Sequence, residues 1–303
     1  MEDQADLLAE KTLRAKCSAG MYNFSPKARN MRRRLDNLES LLVEAYSLPR
    51  RDPRKMTVRN RMSESIQEFT LHAFQVDGYR CRLPFIRLFF SILLPNKDKP
   101  SSHEILFIPE WDSSAQSDQQ EQEDGIFKYP LILFRATDKA MHVVEQWLEQ
   151  AFDCYLVNLS FQRPVMEGLL EDWKFHLVDT PPTEDMRIKV PNSRQKEIAG
   201  VTIEYEFKEA ELSQLRFTFG IKQIIDIHKK LSDNKLTLIE ALESHLHRVV
   251  RIKVWKLKMA RITLDDFSIQ HDGTLKFING LPRTNLIRYL KRLTSLEQSD
   301  SRK

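Results

Sequence analysis

His245 and His247, a run of six cations (Arg248, Arg251, Lys253, Lys256, Lys258 and Arg261) and the carboxylates Asp265, Asp266 and Asp272 are crowded into 28 residues. Imidazoles ligate zinc, but two on one helical face want i, i+4 spacing, which this pair lacks, and no third ligand follows nearby. Clustered carboxylates hold magnesium for phosphodiester chemistry. Asp265, Asp266 and Asp272 therefore define an alternative reading, a nucleic-acid-processing enzyme. Their local context favours a strand distortion at Asp265-Asp266 and a hairpin turn at Asp272. No Ser/His/Asp or Cys/His arrangement has a local signature. With 8 glycines in 303 residues, the chain has neither a Walker A sequence nor a dinucleotide fingerprint. The sequence predicts no enzyme, no metal site and no cofactor.

The cations point elsewhere. From Arg248 to Arg261 they alternate, with one slip near Trp255, against Val250, Ile252, Val254, Leu257 and Met259, and no acid lies between Glu243 and Asp265. This predicts a basic strand. Edge strands carry lysine to discourage pairing, but six uninterrupted cations exceed that need, because like charges repel unless a polyanion or acidic partner screens them. Phosphate is the natural counterpart. Without a base-reading helix, binding is expected to follow the backbone rather than the sequence.

A composition of 41% hydrophobic and 30% charged residues is that of a globular protein. Charge is segregated: Lys27 to Arg61 holds eleven cations and four acids, whereas the stretch between Lys99 and Lys128 holds seven acids and neither Lys nor Arg. Cys17, Cys81 and Cys154 are scattered and odd in number, which predicts free buried thiols in a reducing compartment. The acidic start predicts neither a signal nor a transit peptide. The strongest apolar run, "LPFIRLFFSILLP", has 13 residues and includes Arg87; a membrane span needs about 20.

The positioning elements follow from periodicity. "RRRLDNLESLLVEAY" reads as a helix, "SIQEFTLHAF" as a strand running to a turn at Asp77-Gly78, and residues 83–94 and "EILFIP" as further strands. An acidic, low-complexity, mobile loop is expected near 110–125. "GIFKYPLILF" reads as a strand, followed by helices over 137–152 and 160–173. "VTIEYEF" alternates strictly and pairs with "LRFTF". Helices are expected from Ile221 to Leu231 and, behind a Thr237/Glu240 capping box, through His247. The basic strand runs on through "ITLDDFSIQ", turns at His271-Asp272-Gly273 and returns as "TLKFI". A last helix carries the apolar stripe Leu286, Ile287, Leu290 and Leu293, which suggests a partner interface. The fold class predicted is α+β, with curved, mostly antiparallel sheets packed against helices. Two regions are expected: 1–135 with the acidic loop, and 136–303 with the basic strand and terminal helix.

"WLEQAFDCYLVNLSFQRPVMEGLLEDW" (147–173), "ESHLHR" followed by a basic strand, "HDGTLKF" and a terminal leucine-rich helix, together with "LLAEKTLR" and "MYNFSPKARNMRRRL" near the start, resemble the centromere protein L (CENP-L) family. The resemblance implies a non-enzymatic subunit of the inner kinetochore in the nucleus, in an obligate pair with CENP-N through the C-terminal region. It also implies contact with other inner kinetochore subunits and with the backbone of centromeric DNA and nucleosomes. By position Lys258, Arg261 and Lys276 match the family's basic surface; Arg251 and Lys253 are added from charge and alternation. No membrane contact is expected.

Overall fold

The computed structural model describes residues 12–18, 21–22, 24, 29–46, 66–93, 98–111, 126–179, 200–207, 214–231, 236–264, 267–277 and 283–294. The acidic segment from residue 112, residues 49–61 and 180–197, and Asp265-Asp266 lie outside them. Contacts divide the chain into two compact units, Leu13–Leu159 with Leu293–Lys303, and Ser160–Arg292 with Met1–Thr12. Both are mixed α+β and their strands pair antiparallel.

The first unit contains β1 (Thr12–Ser18), β2 (Met21–Tyr22), α1 (Met31–Tyr46), β3 (Ile66–Phe74), β4 (Phe85–Ile92), β5 (Ser101–Ile108), β6 (Ile126–Phe127), β7 (Leu131–Arg135), α2 (Asp138–Phe152) and β8 (Leu156–Asn158). Its sheet runs β1-β7-β5-β4-β3, with β8 on β1 and a separate β2-β6 pair. The expected strand over "GIFKYPLILF" is two strands, because Pro130 cannot donate to a ladder. Asp77-Gly78 does turn the chain, with Gly78 at φ 84° and Tyr79 N–H donating to the Val76 carbonyl at 3.0 Å. The ladder nevertheless stops at Phe74–Phe85, so the hairpin loop is longer than two residues.

Leu38 and Leu42 of α1 and Met141, Val144, Trp147 and Leu148 of α2 enter one core with Ile86, Leu88, Phe90, Ile105, Phe107 and Ile132. The Thr137 hydroxyl caps α2 by accepting from Ala140 N at 3.3 Å. Trp147 Nε1 donates to the Arg34 carbonyl at 2.9 Å and locks α1 to α2. None of the three cysteines is in a disulfide; burial pushes the Cys154 thiol up to about 11.

His103 is buried in this core, stacked on Phe90 with ring centroids 5.0 Å apart, and its Nε2 has no partner among the described residues. Burial lowers its pKa from the ordinary 6.5. The unfolded chain then binds a proton that the folded chain resists, so stability is complete above about pH 6.5 and falls below it. The urea midpoint is expected to be lower at pH 5.5 than at pH 7.5, and less so in His103→Leu. An equal drop in that variant would exclude His103 as the cause.

The second unit contains α3 (Arg163–Asp179), β9 (Gly200–Glu206), β10 (Gln214–Gly220), α4 (Ile221–Leu231), α5 (Leu238–Val250), a 3-10 turn (Val254–Lys256), β11 (Lys258–Thr263), β12 (Phe267–Gln270), β13 (Thr274–Phe277) and α6 (Arg283–Thr294), whose last two residues fall in the first unit. The sheet order is β10-β9-β11-β12-β13. One face is apolar, with Val201, Ile203, Tyr205, Met259, Ile262, Phe267, Ile269, Leu275 and Phe277 buried. Helices cover it: Tyr289 of α6 stacks on Phe267 at 4.6 Å, and the Tyr205 hydroxyl donates to Glu243 Oε1 of α5 at 2.9 Å. Glu243 Oε2 accepts from Arg163 Nη2 at 2.7 Å, and Arg163 Nε donates to Glu167 at 2.6 Å.

The α6 stripe is consumed by the chain's own packing. Leu286, Leu290 and Leu293 are buried, and of the four only Ile287 is partly exposed. The Arg292 guanidinium lies over Gly168, and Arg288 Nη1 donates to the Asp172 carbonyl at 3.0 Å. The burial of Leu286, Leu290 and Leu293 is thus reached within the chain itself, and Ile287 keeps part of its surface exposed.

Candidate nucleic-acid interface

The expected basic strand is three structures in succession. A Thr237/Glu240 capping box starts α5, which continues past His247 to Val250. Arg251 then ends it in the left-handed region (φ 61°, ψ 16°), donating its N–H to the His247 carbonyl at 3.0 Å. The 3-10 turn follows, pinned by the fully buried Val254 and by Lys256 N–H donating to the Lys253 carbonyl at 3.0 Å. The strand itself begins only at Lys258. Alternation misled because Val250, Ile252 and Val254 satisfy a helix end and a turn as well as a strand.

A second correction concerns "ITLDDFSIQ". It is not one strand: β11 ends at Thr263 and β12 folds back on it, with Leu264 N–H donating to the Phe267 carbonyl at 2.7 Å. Asp265 and Asp266 lie outside the described residues. Asp272 Oδ1 accepts from Thr274 N at 2.9 Å, and Gly273 sits at φ 87°, so Asp272 closes the hairpin as expected. His245 is exposed, and His247 packs edge-on to Trp255 at 5.0 Å.

A bulge decides where the strand cations point. Lys258 and Arg261 are three residues apart, which in a regular ladder puts them on opposite faces. The register shifts between Met259 and Arg261, and Ala260 is buried like Met259. Lys258, Arg261 and Thr263 consequently share the polar face, while Met259 and Ile262 enter the core.

That face carries acids as well. Glu206 of β9 is opposite Lys258, with Nζ–Oε2 3.0 Å, and Glu204 is opposite Arg261, with Nη1–Oε2 3.5 Å. Glu204 is 4% exposed and takes a second cation, Arg216 of β10, at 2.5 Å. The Arg261 Nε is buried without an acceptor among the described residues. Thr202–Thr218 and Thr263–Ser268 hydroxyl pairs, each at 3.0 Å, extend the polar face, and register places exposed Lys276 of β13 beside Ser268. Lys258 and Arg261 thus have carboxylate partners that lie more than 50 residues away in sequence. "VTIEYEF" discloses that Thr202, Glu204 and Glu206 share a side; it does not disclose that β9 pairs with β11.

Arg248, Arg251, Lys253 and Lys256 differ from them. All four are exposed, and none makes an ion pair with a described residue. Among them stand Trp255, 41% exposed, and Val249 and Val250, 64% and 40% exposed. Trp255 is held firmly, with His247 against its ring and its carbonyl accepting from Arg163 Nη1 at 3.3 Å. The arrangement can contact phosphates or an acidic, partly apolar chain.

The family model for Centromere protein L matches residues 66–300. The chain belongs to the centromere protein L family. Membership makes it a centromere and kinetochore protein, a structural component of that assembly, and the match spans described elements of both units. Among curated proteins none matches the chain. No helix among the described residues is long and apolar enough to cross a membrane.

Proposed function

We propose that this protein is a non-enzymatic structural subunit of the inner kinetochore in the nucleus. It pairs with CENP-N, meets other inner kinetochore subunits, and helps hold centromeric DNA and nucleosomes for kinetochore assembly and chromosome segregation in mitosis. Arg251, Lys253 and Lys276, together with Lys258 and Arg261, contact the phosphate backbone. One observation carries this reading: a centromere-family chain presents exposed cations at Arg251, Lys253 and Lys276 that make no ion pair with a described residue. Phosphate is the counter-charge such a surface lacks. Lys258 is paired with Glu206, and Arg261 shares Glu204 with Arg216, so the two contribute less to DNA than to the sheet.

A second reading of the turn is supported by Trp255, Val249 and Val250. Apolar area adds nothing to a phosphate contact, whereas an exposed tryptophan with cations on either side of it in sequence suits an acidic segment with an apolar anchor. The enzyme reading rests on Asp265, Asp266 and Asp272, of which Asp272 spends Oδ1 on Thr274 N in the hairpin turn.

Co-expression with and without CENP-N, followed by sizing, tests the pairing. A single 1:1 species is expected with CENP-N; two separately eluting proteins would contradict it. Magnesium-dependent nicking of DNA by the purified pair, abolished in Asp265→Asn/Asp266→Asn, would establish the enzyme instead.

A further inference from the structure

The cation-rich stretch from Lys27 onward is not absorbed by the contacts above. Its described part is the start of α1. Arg29 stands in the turn that leads into α1, and Arg32 and Arg33 follow in its first helical turn. All three are exposed, and none makes an ion pair with a described residue, Asp36 one turn along included.

Packing does not explain their position. The helix macrodipole favours carboxylates in a first turn and opposes cations, and α1 has no acid there. Adjacent arginines add mutual repulsion. The fold nevertheless holds them firmly. The Arg34 carbonyl accepts from Trp147 Nε1 at 2.9 Å, its guanidinium lies 4.5 Å from the Phe152 ring centre, and Met31, Leu38 and Leu42 are buried beneath. Alongside Arg33 runs an open groove of about 710 Å³, walled on the α1 side by Asn30, Arg33, Arg34, Asn37 and Ser40 with one acid, Asp36, and on the α2 side by Gln150 and Ala151.

We infer that this arginine turn is a second contact for the nucleic-acid phosphate backbone, carried by the first unit. The inference rests on the DNA reading proposed above. Amide, hydroxyl and guanidinium groups are the ones that meet phosphate and sugar oxygens. A folded protein partner would be expected to find apolar anchors, and the exposed large apolar side chains among this unit's described residues, Tyr155 and Val157, do not line the groove.

The test compares the full chain paired with CENP-N as wild type, Arg32→Glu/Arg33→Glu and Arg32→Lys/Arg33→Lys, on a mixed-sequence duplex at several salt concentrations. The Glu variant is expected to bind about ten-fold more weakly or worse, with a salt slope flatter by about 2 units, because each lost phosphate contact removes about 0.9. Its melting temperature should be unchanged or higher, since it relieves the conflict with the dipole, and the Lys variant should bind close to wild type. Unchanged affinity and slope in the Glu variant, with wild type binding, overturns this inference alone. A wild-type pair that does not bind DNA overturns the reading beneath it. A Glu variant that melts lower and loses binding in proportion makes the arginines structural. One that keeps DNA but loses another subunit makes the turn a protein contact; both results overturn the inference.

Discussion

Glu243→Ala is expected to cost the second unit about 3 kcal/mol or more, a range set by the loss of one partner from a buried ion pair. Glu243 is 3% exposed and is shared by the Tyr205 hydroxyl of β9 and the Arg163 guanidinium of α3. Burial first, and then the Glu243 charge, push the Tyr205 hydroxyl upward, so it stays a neutral donor. Removing the carboxylate leaves a buried hydroxyl without its acceptor and a half-buried guanidinium with Glu167 as its ion-pair partner. Because Arg163 also holds the Trp255 carbonyl, the exposed tryptophan should loosen with it. Glu167→Ala, which removes the more exposed i, i+4 partner, should cost less than about 1 kcal/mol. Urea unfolding of both variants checks this. Similar small losses would mean that Glu243 is not the hub of the packing.

Leu290→Ala is expected to destabilise the second unit by about 2–5 kcal/mol, and Leu290→Asp to prevent it from folding. Leu290 is 1% exposed within α6, beside Tyr289, whose ring stacks on Phe267. Loss of CENP-N pairing in Leu290→Asp would therefore report unfolding, not a lost interface. At low temperature, where it remains folded, Leu290→Ala should co-purify with CENP-N as wild type does. A variant that melts normally but no longer pairs would make the stripe the partner surface.

The elements with two independent signals were legible in the sequence. The Thr237/Glu240 box and the apolar face behind it place the start of α5, and strict alternation in "VTIEYEF" and "LRFTF" yields β9 paired with β10. His271-Asp272-Gly273 turns as its chemistry requires. What failed depends on tertiary context. The end of α5 is a left-handed arginine where glycine is commoner, so no residue type announced it. The bulge at Ala260 and the Glu204 and Glu206 partners arise from the register of β11 on β9, which no local pattern encodes. An amphipathic terminal helix looks the same whether its stripe meets its own sheet or another subunit, so the packing of Tyr289 on Phe267 and of Arg292 over Gly168 was not legible in the stripe.

Those pairings also determine which substitutions can test DNA contact cleanly. Charge reversal at Lys258 or Arg261 would set carboxylates against Glu206 and Glu204 and disturb the sheet. Arg251, Lys253 and Lys276 are exposed and make no ion pair with a described residue. The decisive measurement is the salt dependence of duplex affinity for the CENP-N pair carrying Arg251→Gln, Lys253→Gln and Lys276→Gln, beside the wild-type pair. Three lost phosphate contacts should flatten the slope of log affinity against log salt by about 3 units, equally on unrelated sequences, with the pair intact by sizing. An unchanged slope in an intact pair, or a wild-type pair that does not bind DNA, would contradict it.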